Sequence, residues 1–175
     1  VVEDIKSSPS LLAHFEQCGI VPKAEMQRIG GVGMAARASG VKRDIRTSHP
    51  YAAYASQIQH ESIVKRHGDV MARLTMRCSE VLQSADYIEQ LLATYTPTDI
   101  ARPDYEAPMV AESLAFSLIE GWRGEICHVA TTNAQGEIAT YKIKDPSLHN
   151  WLALAIAVRG EGISDFPICN KGFNL

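Results

Sequence analysis

Two short stretches set charged side chains among glycines, and these are the places where the sequence could do chemistry. In the first, Arg37, Lys42, Arg43 and Arg46 surround one acid, Asp44, in a segment broken by Gly30, Gly31, Gly33 and Gly40. Glycine lets the backbone turn tightly, and a guanidinium fork makes paired hydrogen bonds to carboxylates or carbonyls. Asp44 with Arg46 or Arg43 could therefore pin this loop. Solvated surface charge explains the pattern about as well, and an interface loop is the functional alternative. In the second stretch, Glu120-Gly-Trp-Arg123-Gly-Glu125, a glycine directly after Arg123 would let another backbone or a cofactor come close. A plain helix stop with an exposed charge pair is the bland alternative.

Other chemistries find less support. Gly31-Val-Gly33-Met-Ala-Ala36 follows no strand and opens no βαβ unit, so it is not a dinucleotide loop, and no phosphate-cradling Walker sequence is present. The six histidines (14, 49, 60, 67, 128 and 149) show no HExxH spacing. The four cysteines (18, 78, 127 and 169) are each more than forty residues apart, with no CxxC. A metal site built from this chain alone is not expected, and the thiols read as reduced, small, buried apolar groups.

The elements that must position these residues follow from periodicity. With 175 residues, 46% hydrophobic and 21% charged, the chain fits one globular domain or one lobe of a larger protein. Seventeen basic residues against 20 acidic ones leave a net charge of −3, which gives no reason to expect nucleic acid as a partner. The longest apolar run, Leu152 to Val158, is far shorter than the roughly 20 residues of a membrane span. The N-terminus carries no export signal and no initiator Met, so a piece of a longer chain is expected.

Residues 9–29 predict a helical hairpin, with Pro9 in a first turn and Gly19 and Gly30 as stops. Residues 30–51 predict a long ordered glycine- and arginine-rich loop. Within 65–120, two bundle helices are expected. The first bears a single apolar stripe through Val70, Leu74, Cys78, Val81, Leu82, Ile88, Leu92 and Tyr95, and a Pro-containing linker, Arg102 to Pro108, joins it to a second over Pro108 to Glu120. Residues 123–144 read as a two-stranded β-hairpin turning at Asn133 to Gly136, and 147–175 as a final helix over Leu148 to Val158 followed by an irregular tail. The fold class expected is a mainly α helical bundle with one long central helix and a small β-hairpin.

The order of the motifs carries a resemblance. Arg37-Ala-Ser-Gly-Val-Lys-Arg-Asp44-Ile-Arg46, followed by His49-Pro50-Tyr51, resembles the signature of the 49-kDa-type protein of respiratory complex I, shared with the large subunits of membrane-bound, energy-converting nickel–iron hydrogenases. Gly68-Asp69-Val-Met-Ala-Arg73, Arg123-Gly-Glu125, Pro146-Ser147-Leu-His-Asn150 and Gly162-Ile-Ser-Asp165 then resemble further family motifs in family order, from about residue 10 to the end.

That resemblance implies the C-terminal part of a hydrogenase-like large subunit. It implies an oxidoreductase role, passing electrons between an iron–sulfur small subunit and either a nickel–iron centre or a quinone site. Arg123 matches the arginine that points at the metal site in hydrogenases, with Trp122 in place of their proline, and is the expected catalytic-site residue. Arg37, Asp44 and Arg46 are expected to organise the loop that meets the small subunit. No cofactor is expected in this chain by itself, since the metal-binding cysteine pairs of the family fall outside it; Phe173-Asn174-Leu175 stands where the family's Phe-Asp-Pro-like step precedes the C-terminal pair. The expected partners are the iron–sulfur subunit, the N-terminal half of the same chain and, indirectly, membrane subunits, with no nucleic acid. The expected location is cytoplasmic, peripheral on the inner face of the membrane through partner subunits, and the fragment alone is expected to be inactive. The alternative reading is a non-catalytic helical interaction domain without a redox role.

Overall fold

The structure, a computed structural model, describes residues 7–96, 104 and 107–175. Two short helices come first, α1 (Pro9–Phe15) and α2 (Lys23–Arg28), close to the expected hairpin. The region expected as a loop instead contains α3 (Gly33–Ala38) and α4 (Ile45–Ser48), and α5 (Ala53–Ser56) follows. The long helix α6 (Val70–Thr94) is present as predicted, with Asp69 as its N-cap accepting a 2.7 Å hydrogen bond from the Ala72 amide.

The second expected bundle helix does not form. Its residues instead supply β1 (Leu114–Gly121), which pairs antiparallel with β2 (Gly124–Thr132), and β3 (Ile138–Lys144) completes a three-stranded sheet in the order β1-β2-β3. Apolar residues at 114, 116 and 118 satisfy a strand's period of two as well as a helix's longer one, and pairing to β2 decides between them. The expected linker, Arg102 to Pro108, lies mostly outside the described residues, as does Pro97 of the expected helix stop.

The expected last helix is present as α7 (Ser147–Ala157), and a single 3-10 turn (Ile163–Asp165) and α8 (Phe166–Phe173) follow where an irregular tail was expected. Pro167 lies in the first turn of α8, where its missing N–H costs nothing. Gly172 does not break the helix because it is needed for packing: a Cβ there would stand 2.9 Å from Arg73 Nε. The architecture is therefore helices packed beside a small sheet, not a bundle with one hairpin.

The core gathers the small, fully buried α3, the first half of α6, and one face each of α7 and α8. Met26, Ala36, Val70, Leu154 and Phe173 are among the buried residues that meet there. The core stops partway along α6. Val70, Ala72, Arg73, Met76 and Cys78 are buried, whereas Leu82 and Leu92 farther along the same stripe are 64% and 68% exposed.

Candidate functional site

Arg123 occupies a two-residue turn with Trp122. Gly121 pairs with Gly124 across the β1–β2 ladder, which leaves only these two residues at the tip. Three contacts fix that tip. The carbonyl of Arg123 accepts a 3.1 Å hydrogen bond from Asn150 Nδ2 of the buried α7 face. The other amide atom of Asn150, Oδ1, accepts from the Val32 amide at 3.3 Å, so one side chain ties the hairpin to the residue before α3. Gly33, at φ +65, meets Gly124 so closely that a Cβ would collide with Gly124 Cα and the Arg123 carbonyl. Glycine on both sides is required for this approach.

The half-buried side chain of Arg123 turns toward the end of α8, where Nε donates to the Asn174 carbonyl. Arg77 of α6 reaches the same helix end, donating from Nη1 to the Lys171 carbonyl at 3.1 Å, with its guanidinium 5.7 Å from the centre of the Trp122 ring. Two cations at a helix C-terminus complement its partial negative charge. Burial and the neighbouring Arg123 charge both lower the pKa of Arg77. These surroundings are cationic. Among the described residues, no three His, Cys, Asp or Glu side chains are placed to hold a metal ion.

The other expected site residues form a separate, enclosed ion cluster. Arg37 is 1% exposed and donates to Glu80 Oε1 (Nη2, 2.7 Å), to Glu120 Oε1 (Nη1, 2.7 Å) and to the Arg43 carbonyl (3.1 Å). Arg46 grips Asp44 bidentately, Nε to Oδ1 at 2.9 Å and Nη2 to Oδ2 at 2.8 Å, and its Nη2 reaches Glu80 Oε1 at 3.3 Å. Asp44 also accepts from the Arg46 amide, capping α4. His60 Nε2 lies 2.9 Å from Asp44 Oδ2, and its Nδ1 lies 3.1 Å from the Tyr87 hydroxyl. A carboxylate only accepts, so His60 donates from Nε2 and, when neutral, accepts from Tyr87 at Nδ1. Tyr54 packs edge-on against both rings, with centroids 5.6 Å from His60 and 6.3 Å from Tyr87.

Electrostatics favour the charged forms of Asp44, Arg37 and Arg46 in this cluster. Burial opposes the charge on Asp44, but hydrogen bonds from His60 and Arg46 and the Arg37 and Arg46 charges win, holding its carboxyl well below the usual range. Burial likewise opposes the charge of Arg37, and Glu80, Glu120 and Asp44 outweigh it, keeping the guanidinium above its ordinary value. Glu120 goes the other way: burial dominates its bond to Arg37 and raises its pKa.

The two motif regions are joined by a third pairing. Arg43 donates to both oxygens of Glu125, at 2.6 and 3.0 Å, and Lys144 Nζ stands 3.4 Å from the same carboxylate. Of the two arginines that could pin the loop through Asp44, the structure uses Arg46 and sends Arg43 to the hairpin. Arg37, Asp44 and Arg46 all turn inward. Glu80, Glu120, His60 and Asn150 were missed as site residues by sequence reasoning. For Glu80 a signal existed: Ala72, Met76 and Glu80 recur every four residues, placing an acid on the helix's buried face.

Comparison with known proteins gives a consistent picture. The family profile of the respiratory-chain NADH dehydrogenase 49 Kd subunit matches residues 4–114, which include the arginine loop but not Arg123. The chain is 32% identical over 165 residues to a carbon monoxide-induced hydrogenase of Rhodospirillum rubrum, covering 93% of this chain and 44% of that one. It is 28% identical over 184 residues to NADH-quinone oxidoreductase subunit 4 of Thermus thermophilus, covering 90% and 44%. In solved structures, it superposes on a chain of the membrane-bound sulfane sulfur reductase, an archaeal respiratory membrane complex, with a TM-score of 0.88 at 24% identity, over 99% of this chain and 49% of that one. The chain thus spans less than half the length of these relatives.

Proposed function

The chain belongs to the family of the 49-kDa subunit of respiratory-chain NADH dehydrogenase, and from that premise we propose that it is part of the large subunit of a multi-subunit oxidoreductase. In that reading, electrons pass between an iron–sulfur partner subunit and a site at which the large subunit meets its acceptor. The observation that carries the reading is the junction of Gly33, Gly124 and Asn150. It holds Arg123 at a rigid hairpin tip, next to a loop fastened by its own ion cluster.

The chemistry available to this chain's residues is electrostatic. An acceptor gaining electrons gathers negative charge, and a preorganised guanidinium in a partly desolvated setting stabilises that charge without reorganising. Arg123 supplies that cation, with Arg77 nearby to raise the local positive potential. Arg37, Asp44, Arg46, Glu80 and Glu120 are positioning residues: they fix the loop's shape, and a partner subunit meets the loop through its outward groups. A bound quinone would supply the electron-accepting ring. A nickel–iron centre would need all its ligands from elsewhere, as this chain's described residues offer no ligand set. No described helix is long and apolar enough to cross a membrane, so attachment to one would run through partner subunits.

The test uses the complete native complex. Arg123→Lys is expected to lower turnover at least about tenfold, the change that about 1.4 kcal/mol of lost transition-state stabilisation produces. Assembly and the electron-paramagnetic signals of the iron–sulfur clusters should be unchanged. Undiminished turnover in a fully assembled variant would remove Arg123 from the site and leave the interaction-domain reading.

A further inference from the structure

Cys18 and Cys169 are 151 residues apart in the chain, yet their sulfurs lie 3.7 Å apart in the core. Cys18 follows α1 and is 7% exposed, while Cys169, on α8, is fully enclosed. The contact is built by its neighbours. Gly19, at φ +64, leaves the necessary room: a Cβ there would stand 2.7 Å from Cys169 Sγ and 3.0 Å from Arg73 Nη2. Arg73 closes the other side. Its Nη1 and Nη2 donate to the carbonyls of Gly68 and Gly19 at 2.8 and 3.0 Å, and the Phe173 ring covers its face at 4.2 Å.

Arg73 is otherwise poorly matched. Among the described residues it takes part in no ion pair within 4.0 Å and its buried Nε has no hydrogen-bond partner. Burial opposes the Arg73 charge, and the groups that favour it are Cys169, the Asp69 carboxylate and Cys18, so both thiols lie within reach of a buried cation. Burial raises both thiols, Cys18 to about 12. At Cys169, the hydrogen bond from Cys18 and the Arg73 charge act against that rise. Cys169 is therefore the sulfur better able to become a thiolate, with Cys18 as its hydrogen-bond donor.

We propose that Cys18 and Cys169 form a two-electron thiol–disulfide site whose oxidant is a small peroxide. Cys169 gives up its proton, and its sulfur attacks one peroxide oxygen. The S–O bond forms, the O–O bond breaks, and the leaving hydroxide takes the proton to become water. Cys18 then attacks the sulfenic sulfur. The S–S bond forms, the S–O bond breaks, and the second hydroxide leaves as water with the Cys18 proton. Each sulfur loses one electron and the peroxide gains two. To reach a bond length of about 2.05 Å the sulfurs must approach by roughly 1.7 Å. The product ties the segment after α1 to α8, the helix whose C-terminal end Arg123 contacts.

The experiment exposes the whole chain to increasing hydrogen peroxide, alkylates the remaining thiols in denaturant, and maps unreduced peptides by mass spectrometry. A linked Cys18–Cys169 peptide should appear before Cys78 or the more exposed Cys127 is oxidised. In a Cys18→Ser variant, dimedone should trap a sulfenic acid at Cys169; in a Cys169→Ser variant, Cys18 should give no adduct. If the wild-type pair is still fully alkylated at doses that oxidise Cys127, the proposal fails. It also fails if dimedone labels Cys18 in Cys169→Ser. The wild-type mapping stands even where a variant folds poorly.

Discussion

Arg37 sits at 1% exposure between two carboxylates that have few other cations to answer them. A buried ion pair adds little net stability over a well-packed apolar group, but removing one partner leaves the other charged, desolvated and alone. Arg37→Ala should therefore destabilise the fold by about 3–5 kcal/mol, read from urea unfolding midpoints at pH 7. Asp44 carries a pH dependence of definite sign. Its folded pKa is depressed, so the stability it contributes is complete above the unfolded carboxylate value and is lost as the pH falls below it. Asp44→Asn should cost about 1–3 kcal/mol at pH 7, and the gap to wild type should shrink as the pH falls below about 4. Denaturation series at the two pH values decide this; a constant gap would mean that Asp44 acts only through its shape. Glu120 works in the opposite sense, because its raised pKa makes ionisation cost stability as the pH rises through its range.

Among the elements, α6 shows how one stripe divides into two environments. Met76 is fully buried, while Leu92 on the same helix is 68% exposed. Met76→Ala should cost about 2–5 kcal/mol through lost burial and a residual cavity. Leu92→Lys should stay within about 0.5 kcal/mol in this chain taken alone. Thermal melts of both variants test the division, and equal losses would place Leu92 in a core. The hairpin tip is held more rigidly. A Cβ at Gly33 would collide with Gly124 and the Arg123 carbonyl, and the residue also needs a positive φ. Gly33→Ala should cost at least about 1–3 kcal/mol in backbone strain alone, and should shift the Arg123 backbone resonances more than those of β3. Nuclear magnetic resonance would show the difference.

Across the whole molecule, apolar side chains are left open on the outer half of α6 and on the sheet. Leu82, Ile88 and Leu92 lie on the helix, Tyr95 directly follows it, and Phe116, Ile138 and Ile143 lie on the strands, each more than half exposed. The register puts Phe116, opposite Val129 and Lys142, on one face of the sheet and Ile143, opposite His128, on the other, so both faces carry exposed apolar groups. Under the proposed large-subunit reading, further segments of such a subunit or a partner subunit would cover these groups. Co-expression with the remainder of the subunit should protect the amides of residues 80–94 from hydrogen exchange, while those of 70–78 should already be protected in this chain alone.

Local periodicity, stop residues and motif order were enough to read the long helix, the first two short helices, the turn at Asn133 to Gly136 and the family from the residues alone. Pairing in three dimensions was needed to settle that residues 114–121 extend as a strand, since their apolar spacing serves both periods until β2 supplies a partner. Likewise, Pro167 and Gly172 read as breakers until the helix they sit in is seen packed against Arg73. Type and spacing marked Arg37, Asp44, Arg46 and Arg123. They could not show that Glu80, Glu120 and His60 would close around the first three, or that Asn150 would hold the fourth. Those partners come from up to 83 residues away, and such long-range pairing leaves no mark on local spacing.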